Sequence, residues 1–159
     1  MAGLSLSSVT PELEPGVLAL RPAPRQTRFA GPAAETLPAA QADPARHPVA
    51  ILEAGRPVGF FVLDEGYASR VLATSARPVG LRGFFVDQAH QGRGLGRCAL
   101  RLLAEHVRDR LPEATSVLLT VGADNRRARR LYVDAGFVPT GRTWDRGPGG
   151  PEEALELSL

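Results

Sequence analysis

The sequence has no lysine and only one cysteine, one methionine and one tryptophan in 159 residues. The lone Cys98 excludes an internal disulfide and fits a reducing cytoplasm. Without lysine the mononucleotide P-loop G-x-x-x-x-G-K-[ST] cannot be present. No apolar run approaches the roughly 18 residues of a membrane span, and the N-terminus lacks the basic start and long apolar stretch of a signal peptide. His47, His90 and His106 show no ligand spacing such as H-E-x-x-H, so no metal site is expected. Neither sign of charge dominates: 19 basic residues, all arginine, against 17 acidic ones give +2, which does not imply a nucleic-acid partner. The all-arginine usage with 14 prolines reads as the coding bias of a GC-rich bacterial genome.

What is present suits one globular domain: 43% hydrophobic and 23% charged residues in a chain long enough to bury a core. Residues 1–16 carry Pro11, Pro15 and Gly16 without periodicity and read as an irregular N-terminal arm, followed by a domain over 17–159. Val17 to Arg21 reads as a first strand, and Ala33 to Ala42 as a short helix limited by Pro38. Pro48 to Ala54 and Val58 to Asp64 read as strands of a hairpin turning at Gly55-Arg56, with Glu65 to Pro78 a polar connection. Val79 to Asp87 reads as the fourth strand, Leu95 to Leu111 as a long helix, Ser116 to Gly122 as the fifth strand and Asn125 to Ala135 as a helix. Phe137 to Trp144 and Glu153 to Leu159 read as a closing antiparallel pair around Gly147-Pro148-Gly149-Gly150. A parallel crossover in the middle and hairpins at both ends require a mixed sheet.

The segment Gln91-Gly92-Arg93-Gly94-Leu95-Gly96-Arg97, between an apolar strand and a helix, has the make-up of an anion cradle. Glycines expose the backbone and accept positive φ, and a helix N-terminus adds unsatisfied amides and a positive dipole end. The dinucleotide pattern G-x-G-x-x-G fails, because position 97 is Arg97. A second motif, Asn125-Arg126-Arg127-Ala128 through Tyr132 to Gly136-Phe137, puts Ala128, Leu131, Tyr132 and Ala135 on one helical face and stops at a glycine.

Together these motifs, Q/R-x-x-G-x-G and N-x-x-A-x-x-x-Y-x-x-x-G-F in that order, resemble the GNAT superfamily of N-acetyltransferases over roughly residues 48 to 159. The resemblance implies a single α/β (α+β) domain. Its central sheet is mixed and mostly antiparallel, the parallel fourth and fifth strands splay around the cofactor, and helices cover both faces. It implies acetyl-coenzyme A as co-substrate, its pyrophosphate on the amides of Gln91, Gly92, Arg93, Gly94, Leu95, Gly96 and Arg97, and its pantetheine arm along Phe85 and Val86 with a hydrogen bond from Asn125. Asn125 also has an ordinary reading as a helix cap, and Arg97 as a solvated position. Tyr132 is the catalytic candidate, a phenol able to protonate the departing thiolate.

Cys98 falls among the apolar residues of its helix and reads as a small buried residue, not a nucleophile. Arg126, Arg127, Arg129 and Arg130 read as a solvated helix face from which one guanidinium reaches the 3′-phosphate, and Trp144 as packing or acceptor-pocket wall. Asp64, Glu65, Asp87 and Glu35 are unranked candidates for collecting the acceptor's proton. A looser likeness to the bacterial spermine/spermidine branch points to direct transfer onto a primary amine of a small molecule, such as a polyamine, in a cytoplasmic bacterial enzyme compatible with a homodimer. Protein or peptide N-acetylation and a non-catalytic acyl-CoA-binding module are the alternatives.

Overall fold

The computed structural model describes residues 3–27, 30–67, 72–145 and 150–159. Seven strands form one sheet in the order β1-β2-β3-β4-β5-β7-β6, with helices around it: β1 (Leu4–Ser8), β2 (Arg46–Glu53), β3 (Arg56–Asp64), β4 (Pro78–Val86), β5 (Ser116–Gly122), β6 (Val138–Trp144) and β7 (Glu152–Ser158). The helices are α1 (Glu14–Leu18), α2 (Ala33–Gln41), α3 (Leu95–Arg110) and α4 (Arg126–Asp134). The chain divides into two compact units, Met1–Asp64 with Leu81–Leu103, and Glu65–Gly80 with Ala104–Leu159.

In the first unit β1, β2 and β3 are antiparallel neighbours. Three expectations are corrected here. Leu4–Ser8, placed in an irregular arm, pair with Val49–Glu53 as an ordered edge strand, since alternating Leu4 and Leu6 give the strand a half-buried face. Val17 to Leu18, read as a strand, close helix α1: Pro15 occupies its first turn, where no amide is needed, and Val17 is fully buried on the resulting face. The β2–β3 turn is Ala54-Gly55, one residue earlier than expected, and both have positive φ (50° and 79°), as a type I′ turn demands. Helix α2 contains Pro38 and ends at Gln41. Val17, Leu20, Leu37 and Ala40 pack with Ala50, Leu52, Phe60, Val62 and Phe85 as one core cluster.

In the second unit the parallel ladder of β4 with β5 runs from Pro78↔Ser116 to Gly80↔Leu118, while β7 is antiparallel to both β5 and β6. The β6–β7 register breaks between Pro139 and Thr143. The β6–β7 turn expected at Gly147-Pro148-Gly149-Gly150 lies largely outside the described residues. Leu118 and Ala154 pack with Leu72 and Ala73, and Tyr67 and Trp144 lie against that cluster.

Candidate active site

The glycine loop is held from both ends. Asp87, just past β4, accepts hydrogen bonds from Arg21 N–H (2.9 Å) and Ala89 N–H (3.2 Å), and its own N–H donates to Val58 O (2.8 Å). Gln91 Nε2 donates to Val86 O (2.9 Å) and to Gln26 Oε1 (2.8 Å), so this side chain ties the loop to the strand before it. Gly92 and Gly94 take φ of 79° and 75°, conformations that favour glycine, and no heavy atom lies within 4 Å of a Cβ built on either. Cys98 N–H donates to Gly94 O (3.1 Å), which starts α3 and leaves the amides of Leu95 and Gly96 without an intrahelical acceptor. Open space over two glycines, amide donors and the positive end of a sixteen-residue helix fit a diphosphate.

The charged neighbours are arranged differently from a direct phosphate clamp. Arg93 forms a bidentate pair with Glu53 (2.7 and 3.1 Å), and Arg97 is exposed on the first helical turn. Cys98 is half-buried, less enclosed than expected, because the buried stripe of α3 runs through Leu95, Ala99, Leu100, Leu103 and Val107.

Near the end of β4, Gly83 has φ of 61°, which breaks the alternation of side chains along the strand. Phe85 is thereby buried in the core cluster beside Phe60 while Phe84 packs on Phe61 with ring centroids 5.7 Å apart. A Cβ on Gly59 would meet Phe85 O at 2.7 Å, so this glycine permits the close approach of β3 to that carbonyl. Sequence reasoning passed over Gly59 and Gly83; the available signal was a glycine inside each strand pattern.

In the second unit Asn125 caps α4: its side chain accepts from Ala128 N–H (3.4 Å) and its own N–H donates to Gly122 O (3.0 Å). Tyr132 is half-buried with its ring edge-on to Phe137, centroids 5.7 Å apart, and desolvation raises its pKa well above that of an ordinary phenol. The hydroxyl therefore keeps its proton throughout the neutral range. Gly136, at φ 104°, closes the helix, with Phe137 N–H on Tyr132 O (3.1 Å). Of the four arginines, Arg129 is held by Glu153 (2.7 Å); Arg126, Arg127 and Arg130 are exposed.

The acidic candidates separate. Asp64 is buried against Arg82 (2.9 Å) and Arg46 (3.4 Å), and Asp87 is used by the backbone as above, whereas Glu35 and Glu65 are exposed. Two carboxylates that sequence reasoning missed have more telling surroundings. Glu156, 7% exposed, accepts from Thr74 N–H (2.8 Å), Thr74 Oγ1 (2.7 Å), Ser75 N–H (3.3 Å) and Ser116 Oγ (2.6 Å). Burial alone would raise its pKa, but these donors outweigh burial and hold it below the usual glutamate value. Glu152 accepts from Thr120 Oγ1 (3.5 Å), which is also bonded to Tyr67 Oη (2.8 Å). Among the described residues no group of three His, Cys, Asp or Glu side chains is arranged to hold a metal, and no helix is long and apolar enough to cross a membrane.

Residues 17–137, which contain both motifs, match the model of the acetyltransferase (GNAT) family. The chain belongs to this family and is an N-acetyltransferase. It is 32% identical over 142 residues to an uncharacterized N-acetyltransferase, YbbJ, of Bacillus subtilis (strain 168), covering 87% of this chain and 88% of that one. It is 37% identical over 59 residues to the spermine/spermidine N(1)-acetyltransferase of the same organism, covering 37% of this chain and 38% of the relative. The fold is shared with the aminoglycoside acetyltransferase AAC(6')-Ib solved with acetyl-CoA, at a TM-score of 0.76 and 21% identity over 98% of this chain and 93% of that one.

Proposed function

We propose that this N-acetyltransferase takes its acetyl group from acetyl-coenzyme A and transfers it directly to a primary amine of a small molecule in the cytoplasm. The observation that carries the donor half is the glycine loop, with Gly92 and Gly94 at positive φ, open space beyond them, Gln91 pinning the loop and α3 opening from it. Bound there, the donor supplies an activated thioester. The backbone amides of residues 92 to 97 hold its pyrophosphate, and the main chain at Phe85 and Val86 lies along its arm. Tyr132 Oη keeps the proton that a departing thiolate needs, in line with its desolvated setting. Asp64 is paired with Arg82 and Arg46, and Asp87 accepts the backbone amides of Arg21 and Ala89. The relatives that act on spermine and spermidine, and the aminoglycoside acetyltransferase that shares the fold, support a small amine as acceptor.

Calorimetry with coenzyme A tests the donor half. Gly94→Val puts a branched side chain into the open space at a φ of 75°, where β-branched residues are strained. A folded Gly94→Val protein should lose measurable affinity; unchanged affinity places the diphosphate elsewhere.

A further inference from the structure

One face of the second unit's strands carries a set of side chains that the acetyl-donor reading does not use. Residues directly opposite on neighbouring strands share a face, so Leu118, Thr120 and Gly122 of β5 stand with Glu156, Ala154 and Glu152 of β7, and Trp144 of β6 lies opposite Glu152. Tyr67 and Trp144 both pack against the Leu72, Ala73, Leu118 and Ala154 cluster on this face. Tyr67 is laid tightly on β4: a Cβ on Gly80 would fall 2.5 Å from its Cβ and Cγ.

The polar ends converge on one hydroxyl. Thr120 Oγ1 lies within hydrogen-bond reach of Glu152 Oε1 (3.5 Å) and shares a 2.8 Å hydrogen bond with Tyr67 Oη in which either oxygen can donate. The result is a phenol, a hydroxyl and a carboxylate in sequence, between two half-buried aromatic rings. Glu152 differs from Glu156, whose two oxygens take four donors, and from three half-buried or buried acids that hold guanidiniums. Glu53 holds Arg93, Glu153 holds Arg129 and Asp64 holds two guanidiniums, whereas among the described residues no cation lies within ion-pair distance of Glu152. Its place in the fold is also relevant. Glu152 pairs with Gly122, whose carbonyl accepts the N–H of Asn125, so it lies at the carboxyl end of β5 beside the turn that opens the second family motif.

We propose that Glu152, Trp144 and Tyr67 form a recognition subsite for an alkylammonium, namely the charged, non-reacting amine of a di- or polyamine acceptor. A carboxylate supplies a charge-assisted hydrogen bond to such a group, and aromatic faces attract it through their quadrupoles. A carboxylate or phosphate on the acceptor would be repelled by Glu152. This inference rests on the small-amine reading above and narrows it to acceptors with a second positive charge.

The test compares spermidine with n-hexylamine, a monoamine, in steady-state assays of thiol release. The wild-type enzyme should prefer spermidine. Glu152→Gln keeps the side chain's shape and its bond from Thr120 but removes the charge. It should raise the KM for spermidine at least tenfold, leave the KM for acetyl-CoA and the rate with n-hexylamine in place, and so erase the preference. Trp144→Leu, a second variant that spares the carboxylate, should also raise the spermidine KM. An unchanged spermidine KM in a folded Glu152→Gln protein, or a parallel rise in the KM for acetyl-CoA, overturns the subsite. If the wild type binds coenzyme A by calorimetry yet acetylates neither amine, the small-amine reading falls along with the subsite. If it acetylates spermidine and both variants are indifferent, only the subsite falls.

Discussion

Glu156 offers a prediction whose size and sign both follow from the structure. Its Oε1 accepts from Thr74 N–H and Thr74 Oγ1, its Oε2 from Ser75 N–H and Ser116 Oγ, and the residue is 7% exposed. Glu156→Gln is isosteric, but in either orientation its amide NH2 faces a backbone N–H: that of Thr74 or that of Ser75. Two charge-assisted bonds become neutral and at least one donor is left facing another donor, a loss of about 2–3 kcal/mol. For a chain of this length that lowers Tm by about 4–12 °C. The folded-state pKa of Glu156 is depressed, so its contribution is complete above the unfolded value of about 4.3 and is lost as pH falls through the folded value. Urea denaturation of both proteins at pH 7 and at steps below pH 4.5 reads this directly. The gap between wild type and Glu156→Gln should be widest at neutral pH and narrow on acidification. Equal stabilities at pH 7, or a gap that widens as pH falls, would refute the reasoning.

Tyr132→Phe should keep coenzyme A binding but reduce turnover by about 10²- to 10⁴-fold, and an unchanged turnover number with chemistry rate-limiting removes the proton-donor role. Because desolvation raises the Tyr132 pKa, the wild-type pH–rate profile should show no alkaline fall assignable to this phenol below about pH 10. Gly59→Ala drives a methyl onto Phe85 O and Ile51 Cδ1, each 2.7 Å from the new Cβ, and should destabilise the protein by about 1–3 kcal/mol in a thermal or urea melt. Cys98→Ala should leave acetyl transfer intact in the same thiol-release assay; a folded but inactive variant would require an acyl-enzyme route.

The elements that follow the glycine loop were legible because their signals are local. β5 has its expected bounds, α3 and α4 lie within a residue or two of theirs, and Gly136 stops α4 as the pattern implied. The N-terminal elements were not, since a five-residue strand such as Leu4–Ser8 is specified by the partner at Val49–Glu53 more than by its own composition. Val17 to Arg21 alternates weakly enough to pass for a strand, and only burial of Val17 and Leu20 against α2 and β3 decides for a helical turn. The same limit applies to the site. The glycines announce a cradle, but Gln91 finding Gln26 and Arg93 finding Glu53 are contacts across 65 and 40 residues. Nothing local in the sequence carries them.

The broken register of β6 bears on how this protein behaves when crowded. β6 stands at the end of the strand order, an exposed strand with Val138 62% accessible, which would ordinarily invite pairing with another chain. Pro139 has no amide to offer along that edge, and Gly141 at φ 83° bends the strand where the ladder to β7 is interrupted. Arg142 is drawn back to the carbonyl of Ala73 (3.1 Å). An edge built in this way is a poor template for strand addition. A variant that restores a straight, amide-bearing β6 should aggregate more readily, even if its active site is untouched.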